Sequence, residues 1–178
     1  MLQHAMTWVH GELFEMRLII GAGVLLALAA LALHYFGTGA YARGMAWPIT
    51  ALAAFVLVLG VSLYASNLRR LSAWPERIAH DEAALLARSF GFAKTERARA
   101  DEFIAWYPRT RLIAAGLGVL ALGLLLYAEP GGLGGPTPRP RLFGWGFALL
   151  LAVVFVFAVD HFSEERARVY RAGLEDPG

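Results

Sequence analysis

Long apolar runs separated by shorter polar segments dominate the pattern along the chain. A helix needs roughly 20 apolar residues to cross about 30 Å of hydrocarbon, and four runs come close to this length. They cover residues 18–36, 46–65, 112–128 and 142–159. No other stretch is comparably long and free of charge. The pattern therefore predicts an all-α membrane protein, an antiparallel four-helix transmembrane bundle that forms one integral membrane domain over residues 1–178.

The segment before the first run has a helical pattern of its own. Its apolar residues recur at spacings of four and three and so lie on one face of a helix; they are Leu2, Met6, Val9, Leu13 and Met16. A helix with one apolar face either lies on a membrane surface or runs directly into the membrane. Both alternatives stay open from the sequence.

The polar segments between the runs differ in character. Residues 67–111 contain a proline-free stretch, 76–107, that is rich in Ala, Arg, Glu and Leu. With Pro75 at a helix-start position, this stretch predicts a cytoplasmic helical arm of one long or two shorter helices. By contrast, residues 129–141 hold four prolines and four glycines and predict an irregular connector.

Charge and composition set the expected environment and orientation. The chain is 58% hydrophobic and 17% charged, which is typical of a protein whose main solvent is a bilayer. If four spans alternate, thirteen Lys and Arg residues lie on the side of both termini and three on the other. Cytoplasmic segments carry such an excess, so we expect a multi-pass protein of a bacterial inner (plasma) membrane with both termini cytoplasmic.

The same charges indicate the expected partners. The segment between spans two and three carries nine basic and six acidic residues, a balance suited to the anionic inner leaflet of a lipid bilayer. We expect no nucleic acid partner. A second copy of the chain, as in a homo-oligomer, or a partner membrane protein is the expected protein contact.

Asp160 is the most informative polar position. It is the first acidic residue after a long uncharged run, and an ionisable group at the membrane boundary is costly unless it finds a partner or water. Alternating spans place it level with Arg17 and Arg111, which precede spans one and three. We predict that Asp160 forms a bidentate pair with one of these arginines.

This prediction defines a candidate working surface at one end of the bundle, the polar rim. Its predicted members are Arg17, Ser66, Asn67, Arg69, Arg111, Asp160, His161 and Glu164. Asn67 and Arg69, with Arg70, could bind a lipid phosphate, although ordinary positive-inside anchoring also explains the arginines.

A metal site is the chemical alternative at this surface. An imidazole and a carboxylate one helical turn apart suit zinc, iron or manganese. The candidate ligands are His161 with Glu164 or Glu165, and His10 with Glu12 and Glu15 as a second half-site. However, the sequence has no HExxH motif and no cysteine, and we therefore expect no cofactor.

Small residues predict how the spans pack. Spans one and three are rich in glycine and alanine, whereas spans two and four carry bulkier residues such as Phe55 and Phe155. Small residues let membrane helices approach closely, which predicts spans one and three at the centre. Similar segments at offsets of 94 and 97 residues, RLIIGAG with RLIAAGLG and YASNLRR with HFSEERA, also raise the hypothesis of a duplicated two-span unit.

The best functional interpretation is a non-enzymatic membrane component, either oligomeric or accessory to a partner. Two alternatives remain. An ion or small-solute channel or transporter would need a pathway between subunits, because no span carries a charge near its middle. A metal-dependent interfacial enzyme acting on lipid would need the His and Glu residues.

Overall fold

The computed structural model describes residues 2–86 and 91–173, and they are almost entirely helical. The four helices are α1 (Leu2–Phe36), α2 (Ala40–Leu86), α3 (Gly91–Ala128) and α4 (Pro140–Gly173). Each contains a segment long and apolar enough to cross a membrane; the segments are His10–Phe36, Ala40–Arg69, Arg97–Ala128 and Pro140–Ala172. The predicted all-α class, with four apolar helices of spanning length, is confirmed.

The helices continue beyond the apolar runs that start them. Helix α1 is unbroken from Leu2 to Phe36, so the amphipathic segment before the first run is part of the same helix. Helix α2 passes through Pro75, and the prediction of a new helix start there is wrong. A proline removes one backbone hydrogen bond from a helix interior, and α2 tolerates this loss within its 47 residues, as α3 does at Pro108.

The connector before α4 is irregular, as the proline and glycine content predicts. Gly131 and Gly135 have φ angles of 80° and 86°, in the left-handed region that glycine adopts without a steric penalty. They form a tight loop in which the Gly131 N–H donates to the Gly135 carbonyl at 3.1 Å.

The order of packing places α2 and α4 at the centre. Helix α1 packs on α2, α3 packs on α4, and α2 packs on α4, while α1 and α3 make no contact with each other within residues 2–86 and 91–173. The prediction that spans one and three lie at the centre is therefore wrong. The helix pairs α1–α2 and α3–α4 meet through α2 and α4. This arrangement is compatible with a duplicated two-span unit, which stays a hypothesis.

Glycine positions explain why the packing prediction fails. Close approach depends on which face a small residue occupies, and glycines at close contacts occur on outer and central helices alike; on α1, Gly23 lies against Leu57. Gly60 of α2 lies against Ile20, and Gly146 of α4 lies against α3. By contrast, Gly21 of α1 and Gly116 of α3 have nothing within 4 Å of an added Cβ, so the glycine content of a span does not by itself show where the span packs.

The buried core is thin and most large apolar side chains face outward. One cluster joins Met16, Ile19 and Val56, and a second joins Ala30, Ile49 and Ala148. Leu25, Val58 and Val119 are each more than 60% exposed. Such a surface is unusual for a soluble monomer and is compatible with helices that contact lipid.

The first turns of α2 and α4 touch through two glycines. A Cβ added to Gly144 would lie 2.8 Å from the carbonyl carbon of Gly44 and 2.9 Å from the Cα of Met45. A Cβ added to Gly44 would likewise meet the backbone of Pro140. Because backbone atoms cannot move aside as a flexible side chain can, both positions need glycine.

This contact gives a test of the α2–α4 pairing. We expect Gly144→Ala to lower the free energy of unfolding by about 1–3 kcal/mol, since an overpacked contact forces the two helices apart. Gly116→Ala, on an open face of α3, should leave stability within about 1 kcal/mol of the parent because alanine is the better helix former. Denaturation of the purified protein in mixed micelles, followed by circular dichroism, measures both. Equal effects of the two substitutions would contradict the packing order.

Candidate functional site

At the same end of the bundle as the predicted polar rim, the first turns of the apolar part of α1 meet the last turns of α4. Glu15 of α1 is only 7% exposed and forms an ion pair with Arg166 of α4. Ser163, one turn before Arg166, places its Oγ 3.0 Å from both carboxylate oxygens of Glu15. The second guanidinium nitrogen of Arg166 donates to the Gly11 carbonyl at 2.7 Å. Four groups therefore clamp α1 to α4.

Helical spacing produces this clamp. Glu15 and Gly11 are four residues apart on α1, and Ser163 and Arg166 are three apart on α4, so each pair lies on one face. Gly11 leaves room for the arginine, because a Cβ there would lie 3.2 Å from the Arg166 Nη1 atom. An arginine with several donors suits this mixed carboxylate and carbonyl environment.

A second clamp joins α4 to α3. Glu164 is 8% exposed and forms an ion pair with Arg111 of α3. It also accepts a hydrogen bond from Arg168, one turn further along α4, at 2.6 Å. Consecutive residues of α4, Ser163 and Glu164, thus bind the two helices that do not touch each other.

Asp160 lies at the predicted level but has a different partner. The Thr110 hydroxyl hydrogen-bonds to its carboxylate, while Arg111 binds Glu164 instead. The prediction of an Asp160–arginine pair is therefore wrong. Neighbouring residues of a helix point about 100° apart, so Thr110 and Arg111 cannot face the same acid. The alignment of α3 with α4 places Thr110 against Asp160 and Arg111 against Glu164, which lies one turn later on α4.

Arg17 faces α2 rather than α4. Its guanidinium carbon lies 5.9 Å from the centre of the Tyr64 ring, and its Nη2 atom lies 3.5 Å from the Tyr64 hydroxyl. The contact is a cation–π arrangement. Arg17 is thus at the level of the rim but outside both clamps.

The remaining predicted rim residues are divided between the interior and the surface. Asn67 is 7% exposed and, with Ser66, lines the pocket described below. Arg69 is exposed and its carbonyl accepts a hydrogen bond from Ser72 at 2.8 Å. His161 is exposed and its ring packs beside Phe162 at 5.6 Å. The assignment of these residues to a working surface stays a prediction.

The candidate metal ligands do not form a cluster. His10, His161 and Glu165 are exposed, and Glu12 is half-buried. Over residues 2–86 and 91–173, no group of three or more His, Asp or Glu side chains is arranged to hold a metal ion. The geometry of this part of the chain gives the metal-site hypothesis no support.

A pocket of about 440 Å³ opens between the helices beside the two clamps. All four helices line it. Its polar lining consists of Glu12, Glu15, Ser66, Asn67, Tyr107, Thr110, Asp160, Ser163 and Arg166. Sequence reasoning did not bring Glu15, Tyr107, Thr110, Ser163 and Arg166 together, since nothing in the local pattern shows that these residues converge. The one local signal is the position of Glu15 beside Met16, immediately before an apolar run.

The apolar part of the pocket runs along α2 and α4. Its lining extends along α2 from Leu52 to Leu63 and along α4 from Ala152 to Val159. At 1.5 Å per residue, these stretches measure about 16 Å and about 10 Å. Aliphatic and aromatic side chains such as Val56, Phe155 and Val156 line this part. A pocket of about 440 Å³ with walls of this kind suits a hydrocarbon chain.

The polar end of the pocket is acidic. Three carboxylates line it, from Glu12, Glu15 and Asp160, against one guanidinium, from Arg166, so the formal charge of the lining is −2. The Tyr107 phenol lies in the electrostatic field of all three acids. A cationic or hydrogen-bond-donating group is the chemically complementary ligand.

The α1–α4 clamp can be tested against a neighbouring arginine. We expect Arg166→Met to lower the free energy of unfolding by about 3 kcal/mol, because it leaves the buried Glu15 carboxylate without its ion partner. Arg168→Met is the matched control. Its side chain is 65% exposed and Glu164 keeps Arg111, so its loss should cost less than about 1 kcal/mol. If the control is as damaging as Arg166→Met in the same micelle denaturation experiment, the clamp is not the stabilising contact.

Comparison with known proteins was made by family model, by sequence and by structure. No family model matches the chain, and searches of curated proteins and of solved structures return no match. Function is therefore inferred from the geometry of the rim and the pocket.

Proposed function

We propose that the protein is a non-enzymatic multi-pass component of an inner (plasma) membrane that binds one amphipathic molecule in the pocket beside the polar rim. The four helices form an antiparallel bundle, the rim faces the cytoplasm, and the hydrocarbon chain of the ligand lies between α2 and α4. The observation that carries the proposal is a single pocket with an acidic polar end and an apolar wall of about 16 Å along α2.

Charge supports the orientation. The rim side of the chain carries thirteen of the sixteen Lys and Arg residues, as cytoplasmic segments usually do. In this orientation the pocket mouth meets the cytoplasmic headgroup layer. A ligand could then enter from the inner leaflet without its polar group leaving water.

The chemistry of the two ends supports an amphiphile with a cationic head. Burial of each methylene of a hydrocarbon chain contributes about 0.8 kcal/mol relative to water, and the walls of the pocket provide an apolar surface for it. The formal charge of −2 at the polar end favours an amine or ammonium group. The ligand class is therefore a single-chain alkylammonium or a related amphipathic amine.

Binding is better supported than catalysis. The Ser163 hydroxyl donates to Glu15, and Glu15 is also held by Arg166, so both side chains are engaged in joining α1 to α4. No histidine is among the residues that line the pocket in the described part of the chain. The polar groups are thus placed to orient a head group rather than to transfer a proton.

Long helix extensions support the accessory role. Beyond Asn67, α2 continues to Leu86, and α3 begins at Gly91, well before Tyr107. At 1.5 Å per residue these extensions measure about 28 Å and about 24 Å. As a cytoplasmic arm, these extensions offer a surface for a partner membrane protein or a second copy of the chain. The bound amphiphile would modulate that contact.

A filled-pocket variant tests the proposal. The protein is reconstituted in lipid nanodiscs and titrated with a spin-labelled alkyltrimethylammonium of fourteen carbons, whose immobilised fraction is read by electron paramagnetic resonance. We expect Val156→Trp to weaken binding at least about tenfold, because the indole occupies the space of the chain. Val154→Trp is the matched control, since Val154 lies two residues away and is 60% exposed; it should bind like the parent.

The head-group preference is tested separately. We expect Asp160→Asn to weaken binding of the ammonium probe by about fivefold and to leave a chain-matched neutral maltoside unchanged, because only the charged head senses the lost carboxylate. Stronger binding of a chain-matched alkyl sulfonate than of the ammonium would refute the cationic preference. Equal binding by the Val156→Trp and Val154→Trp variants would refute the pocket itself.

A further inference from the structure

A second polar site lies at the opposite end of the helices from the rim. It is an open cleft of about 630 Å³ where the first turn of α2 meets the first turn of α4. Three arginines line it, Arg43, Arg139 and Arg141, together with Trp47. We call it the arginine cleft. No acidic residue is among the side chains that line it.

The three arginines lack counter-charges within the described part of the chain. The ion pairs found there belong to Arg111, Arg166, Arg168 and Arg171, all at the rim end. None involves an arginine of the cleft. Three like charges around one space repel one another, so the arrangement is favourable only when an anion or solvent offsets them.

Arg139 is held in place by the connector before α4. Its guanidinium carbon lies 4.1 Å from the centre of the Tyr127 ring, a close cation–π contact. Its Nη1 atom is buried without a hydrogen-bond partner among the described residues, beside Gly134, where any side chain would collide with it. An arginine in the headgroup layer is usually mobile, whereas the Arg139 side chain is packed against its neighbours.

Two helix N-termini add positive potential to the same cleft. Helix α2 begins at Ala40 and α4 at Pro140, and the contact of Gly44 with Gly144 brings the two starts together. The first N–H groups of a helix have no intrahelical acceptor and carry part of the positive end of the helix dipole. These groups reinforce the arginines, which remain the main source of charge.

We propose that the arginine cleft binds one phosphate-class anion, either the phosphodiester of a lipid head group or soluble inorganic phosphate. Arginine recognises phosphate oxygens through paired N–H donors, and Arg43 and Arg141 are both exposed and able to reach a ligand. Trp47 is 71% exposed beside them, in the position of an aromatic residue at a membrane interface. This site is independent of the amphiphile pocket.

Two probes distinguish the sources of the anion. The protein is purified in a neutral maltoside detergent and phosphate-free buffer, and calorimetry measures the binding of inorganic phosphate and of dihexanoyl phosphatidylglycerol. A lipid that binds about tenfold tighter than inorganic phosphate supports a head-group site. Equal or tighter binding of inorganic phosphate supports a soluble ligand. Absence of saturable binding by both probes would overturn the proposal.

Matched arginine variants locate the binding. We expect Arg43→Gln and Arg141→Gln each to weaken the better probe by about tenfold, because each removes a charge-assisted hydrogen bond. Arg109→Gln is the control. Arg109 is exposed at the rim end, where it stacks on Trp106 at 5.2 Å, and its loss should change affinity by less than about twofold.

Fold and specificity are checked in the same variants. Arg43 and Arg141 are surface residues, so unchanged helical circular dichroism is expected for both glutamine variants. Arg141→Lys keeps the charge and should retain most of the binding that Arg141→Gln loses. If Arg109→Gln weakens binding as much as Arg141→Gln, the anion is attracted by the overall charge of the chain and the cleft is not a site.

Discussion

Helix α4 holds the rim together because two consecutive residues bind helices that lie on opposite sides of it. Ser163, with Arg166, reaches Glu15 of α1, while Glu164 reaches Arg111 of α3. Neighbouring helical residues point about 100° apart, so one turn of α4 can serve both directions. Buried charges are costly unless they are paired and hydrogen-bonded, and here each carboxylate has at least two donors. The rotation of α4 is thereby fixed.

The pocket is a consequence of the same arrangement. Helices α1 and α3 attach to α4 from two sides and do not meet each other within residues 2–86 and 91–173. Close packing would demand that the space between them be filled, yet a pocket of about 440 Å³ remains there. Apolar cavities of this kind readily accept an apolar guest. The clamps join the helices at the rim while the apolar walls on α2 and α4 stay available to a chain.

The sequence predicts the helices and the depth of their polar residues better than the contacts that these residues make. The four apolar runs are enough to predict four helices, because the length of a run and its lack of charge indicate a spanning helix without any periodic pattern. The level of Asp160 with Arg111 also follows from counting residues along alternating helices. The partner of Asp160 does not follow, because a shift of one residue along a helix turns a side chain by about 100° and decides whether Thr110 or Arg111 faces Asp160.

Likewise, a glycine such as Gly116 looks identical in sequence whether it faces a neighbour or open space. Convergence of Glu15, Tyr107 and Ser163 on one pocket requires all four helices to be placed first.

The two ends of the molecule use arginine in opposite ways. At the rim, Arg166, Arg168 and Arg171 each pair with an acid of the same chain. These pairs, with that of Arg111 and Glu164, offset part of the basic charge at this end. At the other end only three arginines are present, but they share one cleft without a single acidic neighbour in its lining. The end with fewer basic residues thus has the stronger attraction for an anion, while the acidic pocket at the rim favours a cation. A net charge of +2 for the whole chain conceals this polarity: the segments of the rim end hold thirteen basic and thirteen acidic residues, and those of the other end hold three basic residues and Glu129.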